Sequence, residues 1–254
     1  MAQANSSIAA QQACQPAFDR PQSAAKSIAE RLATLPDETE ARRREAEQEQ
    51  REQLQAIAER KNLRDRLLVK IGARYRSCSL DTFTCLCEAQ SGALARVRDY
   101  CDSILTNIST GRGALFYGPP GTGKDHLAVA IMLAALDSTS ASVEWVDGAE
   151  FYGGVRDNID GDKSEASFVK RFTTPGLLVL SDPLPPLGAI KSEFQLSMLF
   201  RVIDRRYRDL KATVVTLNVA TREEAEKRLS PNIVDRLAHG AMAIHCNWPS
   251  YRRN

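Results

Sequence analysis

Short apolar strands alternate along this chain with segments of helical periodicity. A glycine-rich turn sits between one such strand and one such helix, and a long charged stretch near the N-terminus contains no glycine or proline. Together these observations predict a three-layer α/β fold with a parallel sheet, preceded by a helical N-terminal extension. At 254 residues, with 43% apolar and 26% charged side chains, the chain suffices for one α/β domain with a full core and a small appendage. A formal charge of +2 is too small to point to a nucleic-acid partner by itself. No apolar run approaches the roughly 20 residues of a membrane helix, and the N-terminus lacks the basic-then-apolar pattern of a signal peptide. A cytoplasmic protein with no membrane partner is expected. The cysteines at 14, 78, 85, 87, 101 and 246 form no C-x-x-C pair, and three histidines are scattered, which reads as reduced thiols rather than a zinc site.

Residues 1–36 are rich in Ala, Gln and Ser and read as a weakly ordered N-terminal segment. Residues 37–67 read as a charged helical extension of Glu, Gln, Arg and Ala, with acid-before-base pairs at Glu38–Arg42, Glu40–Arg44 and Glu47–Arg51. Its sparse apolar positions, Leu54, Ile57, Leu63, Leu67 and Leu68, fit either a solvated helix leading into the core or a partner-binding helix. From 68 to 254 the pattern is globular. A helix is expected over 90–108, then a strand at Ala114–Tyr117, a helix over 124–136 and a strand at Val143–Val146. Leu177–Leu180 is a continuous apolar run of the buried parallel kind. Residues 191–209 carry Phe194, Met198, Leu199, Val202 and Ile203 at helical spacing, which reads as a core stripe. Thr213–Leu217 is a β-branched strand.

The turn is Gly118-Pro119-Pro120-Gly121-Thr122-Gly123-Lys124, followed by Asp125 and His126. It satisfies G-x-x-x-x-G-K-[ST] through the lysine and then departs. Glycines let several N–H groups converge on one spot, the following helix adds its positive end, and Lys124 adds a full charge for the β- and γ-phosphates. A hydroxyl normally follows the lysine and ligates magnesium, where Asp125 instead brings negative charge. The loop predicts binding of ATP or ADP with an altered Mg²⁺ corner.

Later segments add to the loop. Ser181-Asp182 puts a carboxylate at the carboxyl end of a central strand, where ligands of open α/β sheets bind. Asn218 ends the next strand and can orient a water at the γ-phosphate. Asp235-Arg236-Leu237 falls in a helix after Ser230-Pro231, and the chain closes with Trp248-Pro249-Ser250-Tyr251-Arg252.

With Arg74–Phe83 ahead of the loop, Gly118–Leu127, Leu177–Asp182, Thr216-Leu217-Asn218, Asp235-Arg236-Leu237 and Asn247–Arg252, residues 68 to 254 resemble the AAA+ ATPase module of the DnaC/IstB family. That family comprises replicative-helicase loaders and transposition helper ATPases. The resemblance implies an AAA+ P-loop NTPase fold in which Lys124 holds the phosphates, Asn218 is the sensor-1 residue, Arg236 is an arginine finger and Arg252 is a sensor-2-like arginine. An arginine acting in trans implies an ATP-dependent homo-oligomer.

Family members usually end the strand before Pro183 in Asp-Asp or Asp-Glu, whereas this chain has Ser181-Asp182. In the usual register Ser181 replaces the magnesium acid and Asp182 stands as the catalytic acid. In a strand one residue longer, Asp182 serves the metal and no catalytic acid follows. Either way one carboxylate is missing, which implies ATP binding with slow hydrolysis. Asp125 could supply the missing oxygen to the metal. Three functions fit: a helicase loader in DNA replication, a transposition helper that binds DNA and recruits a transposase, and a nucleotide-responsive scaffold with negligible hydrolysis. The basic run Arg201, Arg205, Arg206, Arg208 and Lys211, continued by Arg222, Lys227 and Arg228, fits either a solvated helix face or a salt-sensitive DNA contact.

Overall fold

The computed structural model describes residues 38–159, 164–185 and 193–252, so the expectation for residues 1–36 lies outside the described residues. Its helices in chain order are α1 (Glu38–Ile71), α2 (Glu88–Asp102), α3 (Ile104–Ser109), α4 (Lys124–Ser138), α5 (Gly148–Ile159), α6 (Glu165–Thr173), α7 (Glu193–Arg208), α8 (Arg222–Arg228) and α9 (Pro231–Ala238). The strands are β1 (Ala114–Tyr117), β2 (Val143–Asp147), β3 (Leu177–Ser181), β4 (Ala212–Leu217) and β5 (Met242–His245). They form a parallel sheet of order β2-β3-β4-β1-β5.

Two cores lie on the two faces of this sheet, and the strand period of two assigns residues between them. Ala114, Phe116, Leu177, Val179, Ala212 and Val214 face one core, with α2 and α4. Leu115, Leu178, Leu180, Val215 and Leu217 face the other, with α5, α6, α7 and α9. A strand covered on both sides carries apolar residues at every position, which is why β3 reads as an unbroken apolar run.

The chain divides into two compact units, Met1–Ile57 and Ala58–Asn254. The described part of the first unit is the charged beginning of α1, where Arg44 meets Glu40 at 3.5 Å and Glu47 is engaged by Arg43 at 3.2 Å rather than by Arg51. Leu54 and Ile57 are 59% and 62% exposed. In the second unit the helix continues to Ile71, past residue 67, with Leu67 buried and Lys70 paired to Glu144 at 2.9 Å.

Three expectations need correction. The helix expected over 90–108 is two helices, because the chain turns at Ser103 and the buried Asn107 side chain donates to the carbonyl of Tyr100 at 2.8 Å. Phe194 of the α7 stripe is 36% exposed while Met198, Leu199, Val202 and Ile203 are buried. Arg206, expected on a basic face that is either solvated or against DNA, is 1% exposed. Helices α5, α6 and α8 and strand β5 were not expected from the pattern. No helix among the described residues is long and apolar enough to cross a membrane.

Candidate nucleotide site

The parallel register sets the height of the site residues. Ser181 at the end of β3 lies opposite Thr216 of β4, and Thr216 lies opposite Phe116 of β1, two residues before Gly118. The first turn of α4 therefore passes the hydroxyls of Ser181 and Thr216. Both donate to Asp125 Oδ1, at 2.9 and 2.8 Å. A carboxylate in the first turn of a helix also faces the positive end of its dipole. The Tyr75 hydroxyl stands 3.5 Å from Asp125 Oδ2, and burial followed by the charge of Asp125 holds its pKa up.

One residue beyond Ser181, Asp182 leaves the sheet with φ 44°, a left-handed conformation uncommon outside glycine. Four hydrogen bonds hold it there. Its N–H donates to Thr216 O and Oγ1 at 3.0 and 3.2 Å. Its Oδ1 accepts the Asn218 backbone N–H at 3.1 Å, and its Oδ2 accepts Asn218 Nδ2 at 2.7 Å. Thr216 thus links the Asp125 corner to the Asp182–Asn218 pair, a positioning role that sequence reading did not assign. Strand β3 thus ends at Ser181, and Asp182 is the first residue beyond it.

The phosphate loop is closed on itself and on the C-terminal tail. Lys124 is 5% exposed and spends its three ammonium donors on Gly118 O (2.9 Å), Pro119 O (2.6 Å) and Thr122 Oγ1 (3.3 Å). Burial lowers its pKa, against the pull of Asp125 and Asp182. Tyr251 N–H donates to Gly121 O at 2.9 Å, and the Trp248 indole N–H donates to Thr122 O at 2.8 Å. Gly121 has φ 84°, and a Cβ there would stand 2.0 Å from Ser250 Oγ. Gly123, with φ 86°, would bring its Cβ within 2.8 Å of the Phe83 ring. The tail at Gly121 and Phe83 at Gly123 approach so closely, and both φ values are so far into the left-handed region, that glycine is demanded at both positions. Phe83 also packs edge-on against His126 and Tyr251, with ring centroids 5.4 and 5.9 Å apart. His126 Nε2 contacts Ser79 O at 2.7 Å.

A cavity of about 240 Å³ opens beside the loop, between Arg74, Tyr75, Cys78 and Phe83 on one side and Pro120, Gly121, Gly123, Lys124, Asp125 and His126 on the other. Asn218, Tyr251 and Arg252 also line it. Of the other residues expected at a site, Gly118, Pro119 and Thr122 anchor the Lys124 ammonium, and Asp182 is joined to Asn218. Arg74, Tyr75 and Phe83 carry the resemblance in sequence, but only the fold brings them over the loop.

Arg236 is elsewhere. Its Nε donates to Asp204 at 2.9 Å, its Nη1 to Asn232 O at 3.0 Å, and its guanidinium lies 4.9 Å from the centroid of the Phe200 ring. Arg208 holds the same Asp204 at 2.7 Å. Within the basic run Arg201 pairs with Glu165, Arg205 with Asp209 at 2.6 Å and Arg222 with Glu226 at 2.7 Å. Most of that charge is answered within the chain.

The donor set suits a hard cation. Asp125, Ser181 and Thr216 offer one carboxylate and two hydroxyls, and Mg²⁺ takes one or two carboxylates beside phosphate oxygens. Among the described residues no group of three or more His, Cys, Asp or Glu is placed to hold a metal ion.

A parallel sheet of this order, with the glycine loop after β1, an acid after β3 and an asparagine after β4, defines a P-loop NTPase of the AAA+ type. Residues 89–254 match the family model of the IstB-like ATP binding protein, and the chain belongs to that family. It is 29% identical over 181 residues to the replicative helicase loader DnaC of Escherichia coli (strain K12), covering 70% of each chain. A crystal structure of the DnaC helicase loader superposes with a TM-score of 0.60 at 26% identity, covering 68% of this chain and 99% of that one. AMPPCP-bound DnaA from Aquifex aeolicus shares the fold with a TM-score of 0.53 at 18% identity, covering 66% of this chain and 50% of that one.

Proposed function

We propose that this chain binds ATP or ADP with Mg²⁺ at the phosphate loop and acts in the cytoplasm as a helicase-loader-type protein in DNA replication. ATP would drive its homo-oligomerisation, and it would load or remodel a replicative helicase. The observation that carries the reading is the welding of the loop to the Trp248–Arg252 tail beside the Asp182–Asn218 pair, in a chain similar to a replicative helicase loader.

In the nucleotide complex Lys124 exchanges its loop carbonyls for β- and γ-phosphate oxygens, and Arg252 at the cavity wall adds a second positive charge. Asp182, fixed by Asn218, accepts a proton from the attacking water, and Asn218 orients that water. Asp125 and Ser181 would hold Mg²⁺, which would supply charge neutralisation at the transferring phosphoryl group. One strand acid fewer than the family pattern makes turnover slow while binding persists. Arg236 lies away from its own chain's cavity, which suits a finger offered to a neighbour once Asp204 releases it. The exposed Leu54 and Ile57 of α1 support a helicase contact through the N-terminal helix.

Co-purification of the full chain with a replicative helicase, and separately with a transposase, each with and without Mg-ATP, tests the reading. Capture of the helicase alone is expected. Capture of the transposase alone would replace the loader with the transposition helper, which the IstB-like family model also accommodates.

A further inference from the structure

We infer that the carboxylate and the hydroxyl of the magnesium corner have exchanged places in this chain. The acid stands on the phosphate loop as Asp125 and the hydroxyl stands at the end of β3 as Ser181, so Asp125 is the protein's charged contact to the nucleotide-bound cation. The inference rests on the nucleotide reading above and deepens it.

In P-loop NTPases the cation is held by a loop Ser or Thr and a strand Asp. Those two positions face each other, and here they do so with the residue types reversed: Ser181 Oγ donates to Asp125 Oδ1 at 2.9 Å. The acid is not adventitiously placed. Thr216, opposite Ser181 in the ladder, donates to the same oxygen at 2.8 Å. Oδ2 accepts the Tyr75 hydroxyl at 3.5 Å and keeps a further lone pair for the cavity that Asp125 lines. Ser181 is buried, so an acid there would press a second carboxylate against Asp125 at hydrogen-bond distance. One of the pair must therefore be neutral, and a change at either position calls for its counterpart at the other. Net charge at the corner is preserved while its carrier moves from strand to loop.

Charge predicts a reversal of sign that a merely structural Asp125 would not give. Without metal the Asp125 carboxylate repels the polyphosphate, and with metal it holds the cation bound to it. Asp125→Asn keeps an oxygen that accepts from Ser181 and Thr216 and removes only the charge. Equilibrium titration of a fluorescent ATP analogue into the full chain, with Mg²⁺ or with a chelator, measures both affinities without requiring turnover. Wild type should bind about tenfold more tightly with Mg²⁺. In Asp125→Asn the metal-free affinity should rise, and the gain from Mg²⁺ should fall to about threefold or less. Asp125→Thr should lose the gain likewise, and Asp125→Thr/Ser181→Asp should recover it, because the double change restores the usual arrangement.

An Mg²⁺ gain in Asp125→Asn equal to that of wild type overturns the inference, as does a folded double variant no better than Asp125→Thr. If the double variant does not fold, the asparagine comparison decides alone. A wild type that binds nucleotide with no gain from Mg²⁺ sinks the exchange and leaves the nucleotide reading standing. A wild type that binds none removes both.

Discussion

Burying an ammonium costs free energy, and Lys124 shows where a binding site stores that cost. It is buried on carbonyls of its own loop, and burial lowers its pKa despite Asp125 and Asp182 nearby. A base whose folded pKa lies below its unfolded value makes the unfolded chain bind more protons, so its share of stability rises with pH between the two values. Lys124→Met should accordingly stabilise the ligand-free protein by about 1 kcal/mol, or 2–4 °C in Tm for a domain of this size. The same change should abolish the rise in Tm that Mg-ATP gives wild type by mass action. Differential scanning fluorimetry reads both effects. A destabilised Lys124→Met would show that the ammonium is a structural tie rather than a held-back phosphate ligand. Cys246 beside the loop needs no such account, because burial pushes its thiol up to about 12 and keeps it neutral.

At the scale of elements, Arg206 joins three pieces of chain. From α7 it donates to Phe172 O at the end of α6, to Pro175 O and Gly176 O before β3, and to Ala212 O at the start of β4. Arg206→Ala strands these buried carbonyls and opens a void, and should cost about 3–5 kcal/mol in chemical denaturation. A loss below about 1 kcal/mol would mean that water replaces the guanidinium. No periodicity could reveal this, since Arg206 stands in a run of arginines whose other members are exposed or paired at the surface. The strands β1 and β3 were legible because burial on both faces writes an apolar run, and β4 because its residues are mostly β-branched. Helix α5 was hidden by Gly153-Gly154, poor helix formers, of which Gly154 is packed so tightly against Phe168 that a Cβ there would come within 2.9 Å of its ring. Strand β5 was hidden by its brevity and by its buried-exposed alternation over Met242–His245. In the site, the loop, Asp182 and Asn218 were visible as motif. The hub at Thr216, the tail on Gly121 and the Ser181–Asp125 contact depend on register between segments far apart in sequence.

At the scale of the molecule, the loop site stands at the carboxyl ends of the central strands β1, β3 and β4, and Arg236 is kept away from it. Asp204 holds Arg236 and Arg208 together, and Arg236 also lines a cavity of about 500 Å³ with Arg112, Lys211 and His239. If Arg236 serves a neighbour's nucleotide, Asp204→Asn should loosen it and favour assembly with ATP, whereas Arg236→Ala should lose ATP-driven assembly and keep nucleotide affinity. Light scattering with a non-hydrolysable analogue distinguishes these outcomes. Equal assembly in both variants and wild type would remove the finger from the account. All of this stands on one property, the capture of nucleotide by the loop. Calorimetric titration of Mg-ATP into the wild-type chain and into Lys124→Ala tests it most directly. The account predicts one saturable site per chain in the wild type and a loss of affinity of about 100-fold or more in the variant, an effect of nearly 3 kcal/mol for a charge-assisted contact. No binding by folded wild type, or equal binding by the variant, would contradict it.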